Sequence, residues 1–486
     1  MRRLLVLVLT TAALVAASTA AAFDNTEPLA AKQWYITRDS AWDFWDTPPT
    51  NLAPVKVAVI DSGVDGSHPD LEGRIVAARS FVGGSPYRDD DGHGTFVAGE
   101  IAANPFNATG IAGIAFNARL IVAKVVEPDG TVSLAAEVAA IRWAVHEGAR
   151  VINLSLGGVR DPLDPELDTY SPLEQAAVEY AYSRGAVIVA AVGNGPQSPA
   201  TPWDFAHYPA ALPHVIGVSA MRQDGSIPPY SNRDAVFNDL AAPGDGIFST
   251  IPRDLSDPPQ SCPDGPYSDC GPFEFRDAIG TSFAAPQVSA AAALLLGVDP
   301  RLTPDQVSWL LEQGADDLTP SNGCAQCTPG HDMYSGFGSL DVFSSLTLLT
   351  GGGKLPPADR YEPNDEAGRW SHGLPPLPRT ISASLDFWDD NVDVYRVYLT
   401  RGQKLYARLT PQTRAGIKLA LWSPGTTKVE GLRVDLRRRV AESRSVGMQA
   451  RFAYRAPVTG TYYIQAKLVT RPVDPVQYRL SLVRSR

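Results

Sequence analysis

The chain has 486 residues, 44% of them hydrophobic and 20% charged, enough for two or three domains of roughly 100–200 residues and too apolar for general disorder. Four cysteines exclude a small scaffold held together by disulfides. A formal net charge of −11 argues against nucleic acid as the main partner, because phosphate binding needs a basic face.

In chain order, residues 1–22 have the three parts of a secretory signal. Arg2 and Arg3 give the positive start, Leu4 to Ala17 the apolar stretch, and Ala20-Ala21-Ala22 the small residues a signal peptidase accepts. The alternative is a membrane anchor, but the apolar run is short and no charged stop-transfer cluster follows it. Secretion to the extracellular space is expected, with no membrane span in the mature chain. An oxidising compartment would pair the cysteines; nearest-neighbour pairing among the three connectivities joins Cys262 to Cys270 and Cys324 to Cys327.

From Val55 onward, short β-branched runs alternate with helical patterns. Val55 to Ile60, Leu120 to Val125, Val151 to Leu154, Val187 to Val192 and Val215 to Val218 read as buried strands. His93 to Ala103, Leu134 to Glu147 and Leu173 to Arg184 read as helices, and Phe283 to Val298 as a core helix. This alternation predicts an α/β fold, a doubly wound, mostly parallel sheet with helices on both faces, whose sites gather at the carboxyl ends of the strands. Residues 23–350 form this domain and 351–357, Gly-Gly-Gly-Lys-Leu-Pro-Pro, a linker. Residues 358–486 carry short alternating runs, Val392 to Leu399, Lys404 to Leu409, Ile417 to Trp422, Thr461 to Leu468 and Tyr478 to Val483, and read as a smaller all-β sandwich.

Charge divides along the same boundary. Residues 23–357 hold 18 Lys and Arg against 41 Asp and Glu, a balance of −23, whereas 358–486 hold 22 against 12, a balance of +10. Opposite signs of this size favour docking of the two domains or attachment of the basic one to an anionic surface; two independently solvated surfaces are the alternative.

Three glycine-marked segments carry reactive side chains. Val57-Ala58-Val59-Ile60-Asp61-Ser62-Gly63 puts an acid at the end of a buried strand; Asp91-Gly92-His93-Gly94-Thr95 and Gly280-Thr281-Ser282-Phe283-Ala284-Ala285-Pro286 put a histidine and a serine at helix entrances. A serine hydroxyl needs a base within hydrogen-bond reach, and that base needs a third group to fix its tautomer. Ser282, His93 and Asp61 can fill those roles. Each alone has an ordinary explanation as a cap or turn residue; the three together point to acyl transfer.

With these motifs the segment from about Gln33 to Leu349 resembles the subtilisin-like serine proteases. His68-Pro69-Asp70-Leu71, Ser155-Leu156-Gly157-Gly158 and Ala241-Ala242-Pro243-Gly244 add independent matches. The resemblance implies a secreted serine endopeptidase acting on polypeptide substrates through an acyl-enzyme, with Asp61, His93 and Ser282 as the triad and no cofactor in the chemistry. It implies that Asn194, in Val192-Gly193-Asn194-Gly195, donates to the oxyanion. Ser155, Leu156 and Gly157 would bind substrate backbone beside the primary pocket, with Gly130 to Ser133 as the opposing edge. His207 aligns with the pocket floor, which would disfavour a large aromatic P1 residue. Structural calcium is common in such proteins, and Asp70 with Asn107 stand where one site draws its ligands; polar turn residues are the alternative. Phe283 replaces a usual methionine, and the segment Arg253 to Ala278, with its Cys262–Cys270 pair, would form a rim over the site. Gln33-Trp34-Tyr35 resembles the start of the catalytic domain, so self-removal of a propeptide is not expected.

The C-terminal region resembles the bacterial pre-peptidase C-terminal domain through Tyr361-Glu362-Pro363-Asn364-Asp365, Asp389-Asp390-Asn391-Val392-Asp393 and Gly460-Thr461-Tyr462-Tyr463. Its acidic clusters bind calcium or cap strands. Two other classes remain open at this stage: a non-catalytic binding protein on the same scaffold, and an exopeptidase whose rim closes one end of the cleft.

Overall fold

The computed structural model describes residues 25–49, 51–255, 274–388, 390–430, 434–443, 449–472 and 474–485. The signal segment and the Cys262–Cys270 pair lie outside the described residues.

Seven parallel strands form the central sheet: β1 (Val55–Asp61), β2 (Ile75–Ser80), β3 (Ala118–Lys124), β4 (Val151–Leu154), β5 (Val187–Ala191), β6 (Val215–Met221) and β7 (Leu240–Pro243), in the order β2-β3-β1-β4-β5-β6-β7. β1 is an interior strand, between β3 and β4, and its residues are mostly apolar, as a strand covered on both faces requires. Its side chains alternate between two cores. Val57 and Val59 join the core built with α2 (His93–Ala102), and Ala58 and Ile60 join the core built with α3 (Leu134–His146) and α4 (Pro172–Tyr182). A short helix, α1 (Trp34–Arg38), closes the first of these cores through Tyr35 and Ile36.

The helix α5 (Ala285–Val298) is apolar all round and buried along almost its whole length, against β1, β4 and β5. A helix of that kind belongs in a core. Thr281–Val298 is long and apolar enough to cross a membrane but is 89% buried inside the protein, so it gives no sign of a span. An antiparallel pair, β8 (Asp245–Thr250) and β9 (Phe275–Ile279), leads into it.

The helices and strands anticipated from periodicity stand within a few residues of their expected bounds. β2 and β7 escaped notice because Ile75–Ser80 and Leu240–Pro243 lack a clear β-branched run. Their strand character comes from pairing with β3 and β6.

The described residues between 358 and 485 fold as a two-sheet sandwich around one shared core. One sheet runs His372–Gly373, Val392–Leu399, Gly460–Leu468, Ile417–Trp422, Arg439–Glu442; the other runs Arg379–Leu385, Val476–Ser485, Lys404–Pro411, Ala450–Arg455. Arg379–Leu385, Arg439–Glu442 and Ala450–Arg455 went unseen because small and charged residues fill much of their length.

The two domains dock. Trp388 stacks on His331 of the α/β domain with ring centroids 3.6 Å apart and joins its core. The linker is tied down as well: Gln306 Nε2 donates to the Pro356 carbonyl at 2.9 Å. The alternative of two independently solvated surfaces therefore does not hold. Cys324 and Cys327 are bonded to each other, as nearest-neighbour pairing anticipated.

Candidate active site

Asp61 ends β1, at the carboxyl edge of the sheet, and His93 opens α2. His93 Nδ1 lies 2.8 Å from Asp61 Oδ1 and 3.0 Å from Oδ2. Asp61 Oδ1 also accepts the Ser62 N–H at 2.7 Å. Burial works against a charge on His93, but the Asp61 carboxylate, its hydrogen bond and the charges of Asp91 and Asp89 outweigh it and push the pKa up to about 9. The close approach depends on glycine. A Cβ on Gly94 would meet the Gly63 carbonyl at 2.1 Å, and Gly92 holds a left-handed φ of 98° before the helix.

Asp89 was missed by the sequence reading. Its buried carboxylate accepts from the Gly92 N–H at 2.9 Å, the Thr95 N–H at 2.8 Å, the Thr95 hydroxyl at 2.6 Å and the Ser62 hydroxyl at 2.7 Å. One side chain thus fastens the histidine loop to the end of β1 and satisfies orphan N–H groups at the start of α2. The only signal in the sequence was an acidic run just before a glycine.

Ser282 sits in a short turn, Thr281–Phe283, that feeds α5. A ladder of hydrogen bonds fixes this turn against the sheet. Ser289 Oγ donates to Asn153 Oδ1 at 2.9 Å, Asn153 Nδ2 to Ser155 Oγ at 3.0 Å, and Ser155 Oγ to the Ser282 carbonyl at 2.7 Å. The Ser282 hydroxyl itself donates to the Ser155 carbonyl at 3.3 Å. Thus two of the three expected partners, Asp61 and His93, are hydrogen-bonded, while Ser282 shares their cleft with its hydroxyl turned to β4. Active-site hydrogen bonds are often loose before substrate arrives.

Asn194 follows β5. Its Oδ1 accepts from the Thr281 N–H at 3.0 Å and the Thr281 hydroxyl at 3.1 Å. With the oxygen held this way, the amide NH₂ is left for the cleft, which Asn194 lines. Thr281 is the second residue that the sequence reading passed over.

The cleft has a volume of about 630 Å³ and contains Asp61, His93, Asn194 and Ser282 together. Ser155, Leu156 and Gly157 form one wall; Gly158 N–H donates to the Tyr208 carbonyl at 2.9 Å, which fixes that wall from behind. Gly130 and Val132 line the cleft too. His207 is buried and lines this cleft, with Nε2 2.8 Å from Ser198 Oγ; burial lowers its pKa to about 4, so it is neutral. His68 is fully buried away from the cleft, its Nε2 3.1 Å from the Glu274 carbonyl.

Two places offer oxygens to a cation. At the first, Asn107 Nδ2 donates to Asp70 Oδ1 at 2.9 Å and the Ile111 N–H to Asp70 Oδ2 at 2.9 Å. These groups bond to one another. At the second, where the domains meet, three groups adjoin through shared residues: Glu179, His214 and Asp365; Glu362, Asp365 and Asp390; and Asp359, Glu362 and Asp393. Here both Glu179 oxygens, Asp365 Oδ1 and Asp390 Oδ1 are buried without a hydrogen-bond partner. His214 Nε2 lies 3.2 Å from Asp365, 3.7 Å from Glu362 and 3.8 Å from Glu179, and these carboxylates push its pKa up to about 10, so one buried cation faces a larger number of acids.

Residues 53–330 match the subtilase family. Over 291 residues the chain is 35% identical to Subtilisin DY of Bacillus licheniformis, covering 60% of this chain and 90% of that protein. It is 37% identical over 290 residues to Subtilisin E of Bacillus subtilis (strain 168), covering 59% of this chain and 64% of that protein. A lanthipeptide protease of known crystal structure superposes with a TM-score of 0.53 at 26% identity, covering 65% of this chain and 94% of that one. Fold and cleft belong to the hydrolases, and within them to the serine proteases. The chain is a member of the subtilase family and its activity is proteolysis.

Proposed function

We propose that the protein is a secreted serine endopeptidase in which Ser282 attacks the scissile carbonyl. His93 takes the serine proton and later delivers it to the leaving amine, while Asp61 holds the imidazole with Nδ1 protonated and stabilises the imidazolium. The observation that carries this reading is the Asp61 carboxylate bracketing His93 Nδ1 at 2.8 and 3.0 Å in a cleft shared with Ser282. A rotation about the Ser282 Cα–Cβ bond, away from the Ser155 carbonyl, completes the relay. Asn194 Nδ2 and the Ser282 N–H would receive the oxyanion, a role that Thr281 supports by holding the amide oxygen.

An extended peptide would add as a strand between Ser155-Leu156-Gly157 and Gly130 to Ser133, its P1 side chain ending near neutral His207. Secretion is supported by the tripartite segment at residues 1–22. Structural calcium would find oxygen ligands at the domain junction, where Asp359, Glu362 and Asp393, and Glu362, Asp365 and Asp390, group together. The +10 balance of residues 358–486 supports attachment of that domain to an anionic surface.

Doubly blocked peptides of increasing length test the activity directly. Internal cleavage by the wild type and none by Ser282→Ala is the expected result. Cleavage only of peptides with a free end moves the reading to an exopeptidase, and no cleavage by folded protein moves it to a binding protein.

A further inference from the structure

α3 and α4 both start beside the cleft, and each places a glutamate in its first turn. Ser133 caps α3 by accepting the Ala136 N–H at 3.2 Å, and Ser171 caps α4 by accepting the Leu173 N–H at 3.2 Å. Acids in first turns suit the helix dipole, which accounts for Glu137 and Glu174 being acidic. It does not account for their burial. Glu137 is 6% exposed and Glu174 5%, and both line the cleft that holds His93 and Ser282.

The two carboxyl groups lie close enough for each to shift the other's titration. Burial, and for Glu174 also the neighbouring Glu137 charge, raises both pKa values, so the pair shares a proton when the cleft is empty. Glu137 Oε1 is buried without any partner. No lysine, arginine or histidine among the described residues contributes to the charge balance of either group. An acid pair with an open acceptor in a substrate cleft is a half-made ion pair.

We propose that Glu137 and Glu174 form a cation-binding subsite that takes an arginine or lysine side chain of the substrate, on the acyl side of the scissile bond. The inference rests on the protease reading above. The acyl-side placement is part of the proposal and is tested below. Glu137 lies four residues beyond Ser133, at the end of one substrate edge, and α4 follows the Ser155 to Gly158 edge. A guanidinium presents donors in a planar fork that matches paired carboxylates. Its entry occupies Oε1 of Glu137 and, with the shared proton retained, leaves the buried group neutral. Val132, Leu134 and Leu156 along the same cleft would cover the aliphatic stem. A divalent ion is a poorer occupant, since two carboxylates fall short of the six to eight oxygens that calcium takes.

The test is a panel of blocked peptides with a fixed P1 residue, varied one position at a time at P2, P3 and P4 among Arg, Lys, Gln, Leu and Glu. One of the three positions should favour Arg or Lys over Leu and Gln by about tenfold or more in kcat/KM, the range of a charged hydrogen bond gained on binding, with Glu the poorest. In Glu137→Gln/Glu174→Gln the ratio of Arg to Leu at that position should fall to about twofold or less. Cleavage with no basic preference at any position overturns the proposal, as does a ratio unchanged in the double variant. The wild-type panel decides alone should the variant fail to fold. A panel left wholly uncut strikes the endopeptidase reading itself, and the subsite with it.

Discussion

Replacing Asp61 by asparagine probes the proposed machinery most sharply, because size is nearly kept while charge and one acceptor are lost. Asp61 meets His93 Nδ1 at 2.8 and 3.0 Å and the Ser62 N–H at 2.7 Å. The rise of the His93 pKa from 6.5 to about 9, at 1.36 kcal/mol per unit, corresponds to about 3 kcal/mol of preference for the imidazolium. That is the net effect after burial has opposed it, and alone it is worth about 10²-fold in rate. A second loss comes from the tautomer: an amide NH₂ turned to Nδ1 requires the ring to accept there, which puts the proton on the nitrogen that must act as base. In subtilisin itself, removing the acid lowers turnover by about 3 × 10⁴, or about 6 kcal/mol. Orientation and tautomer would then supply about half of the total. Asp61→Asn should lower kcat by about 10³ to 10⁵ with little change in KM. Its residual activity should show an acid limb of kcat/KM moved down from near 9 toward 6.5. Steady-state hydrolysis of a blocked peptide across pH, on protein shown folded by circular dichroism, measures both. A loss of less than about tenfold, or a limb that does not move down, would refute the reasoning.

Asn194→Ala should lower kcat by about 10² to 10³, the loss known for the same donor in subtilisin, with KM nearly constant; an equal loss in KM would indicate a role in ground-state binding. Asp89→Ala leaves several buried donors without an acceptor, each worth about 1–3 kcal/mol, and should lower the melting temperature by about 6 °C or more; an unchanged melting temperature contradicts the fastening role. Because the folded pKa of His93 is raised, its pairing stabilises the fold fully below pH 6.5 and ceases to do so as pH rises through about 9. The melting temperature difference between wild type and Asp61→Asn should therefore shrink across that window. Chelation with EDTA should lower the melting temperature, calcium should restore it, and Glu362→Gln/Asp365→Asn should remove the response; a response that persists would place the ion elsewhere.

The sequence carried the sheet well because its strands are short, apolar and separated by regular helices. The segments around Asp61, His93 and Ser282 were legible because glycines mark each turn. What it did not carry depends on distant packing. The hydroxyl of Ser282 turns to the Ser155 carbonyl, a choice of rotamer that no local pattern encodes. Asp89 and Thr281 act through bonds to other loops. Glu137 and Glu174 look in sequence like ordinary first-turn acids, and only the placement of α3 and α4 around one cleft brings their carboxyl groups together. His214 is likewise an unremarked histidine until Asp365 of the other domain approaches its Nε2 to 3.2 Å.

The nucleophile is the central claim, and covalent capture tests it most directly. Incubation with a fluorophosphonate, proteolytic digestion and mass spectrometry should place the adduct on the peptide that contains Ser282. Labelling should be absent in Ser282→Ala and strongly slowed in His93→Ala. A folded wild-type protein that stays unlabelled, or an adduct on any other serine, contradicts the account.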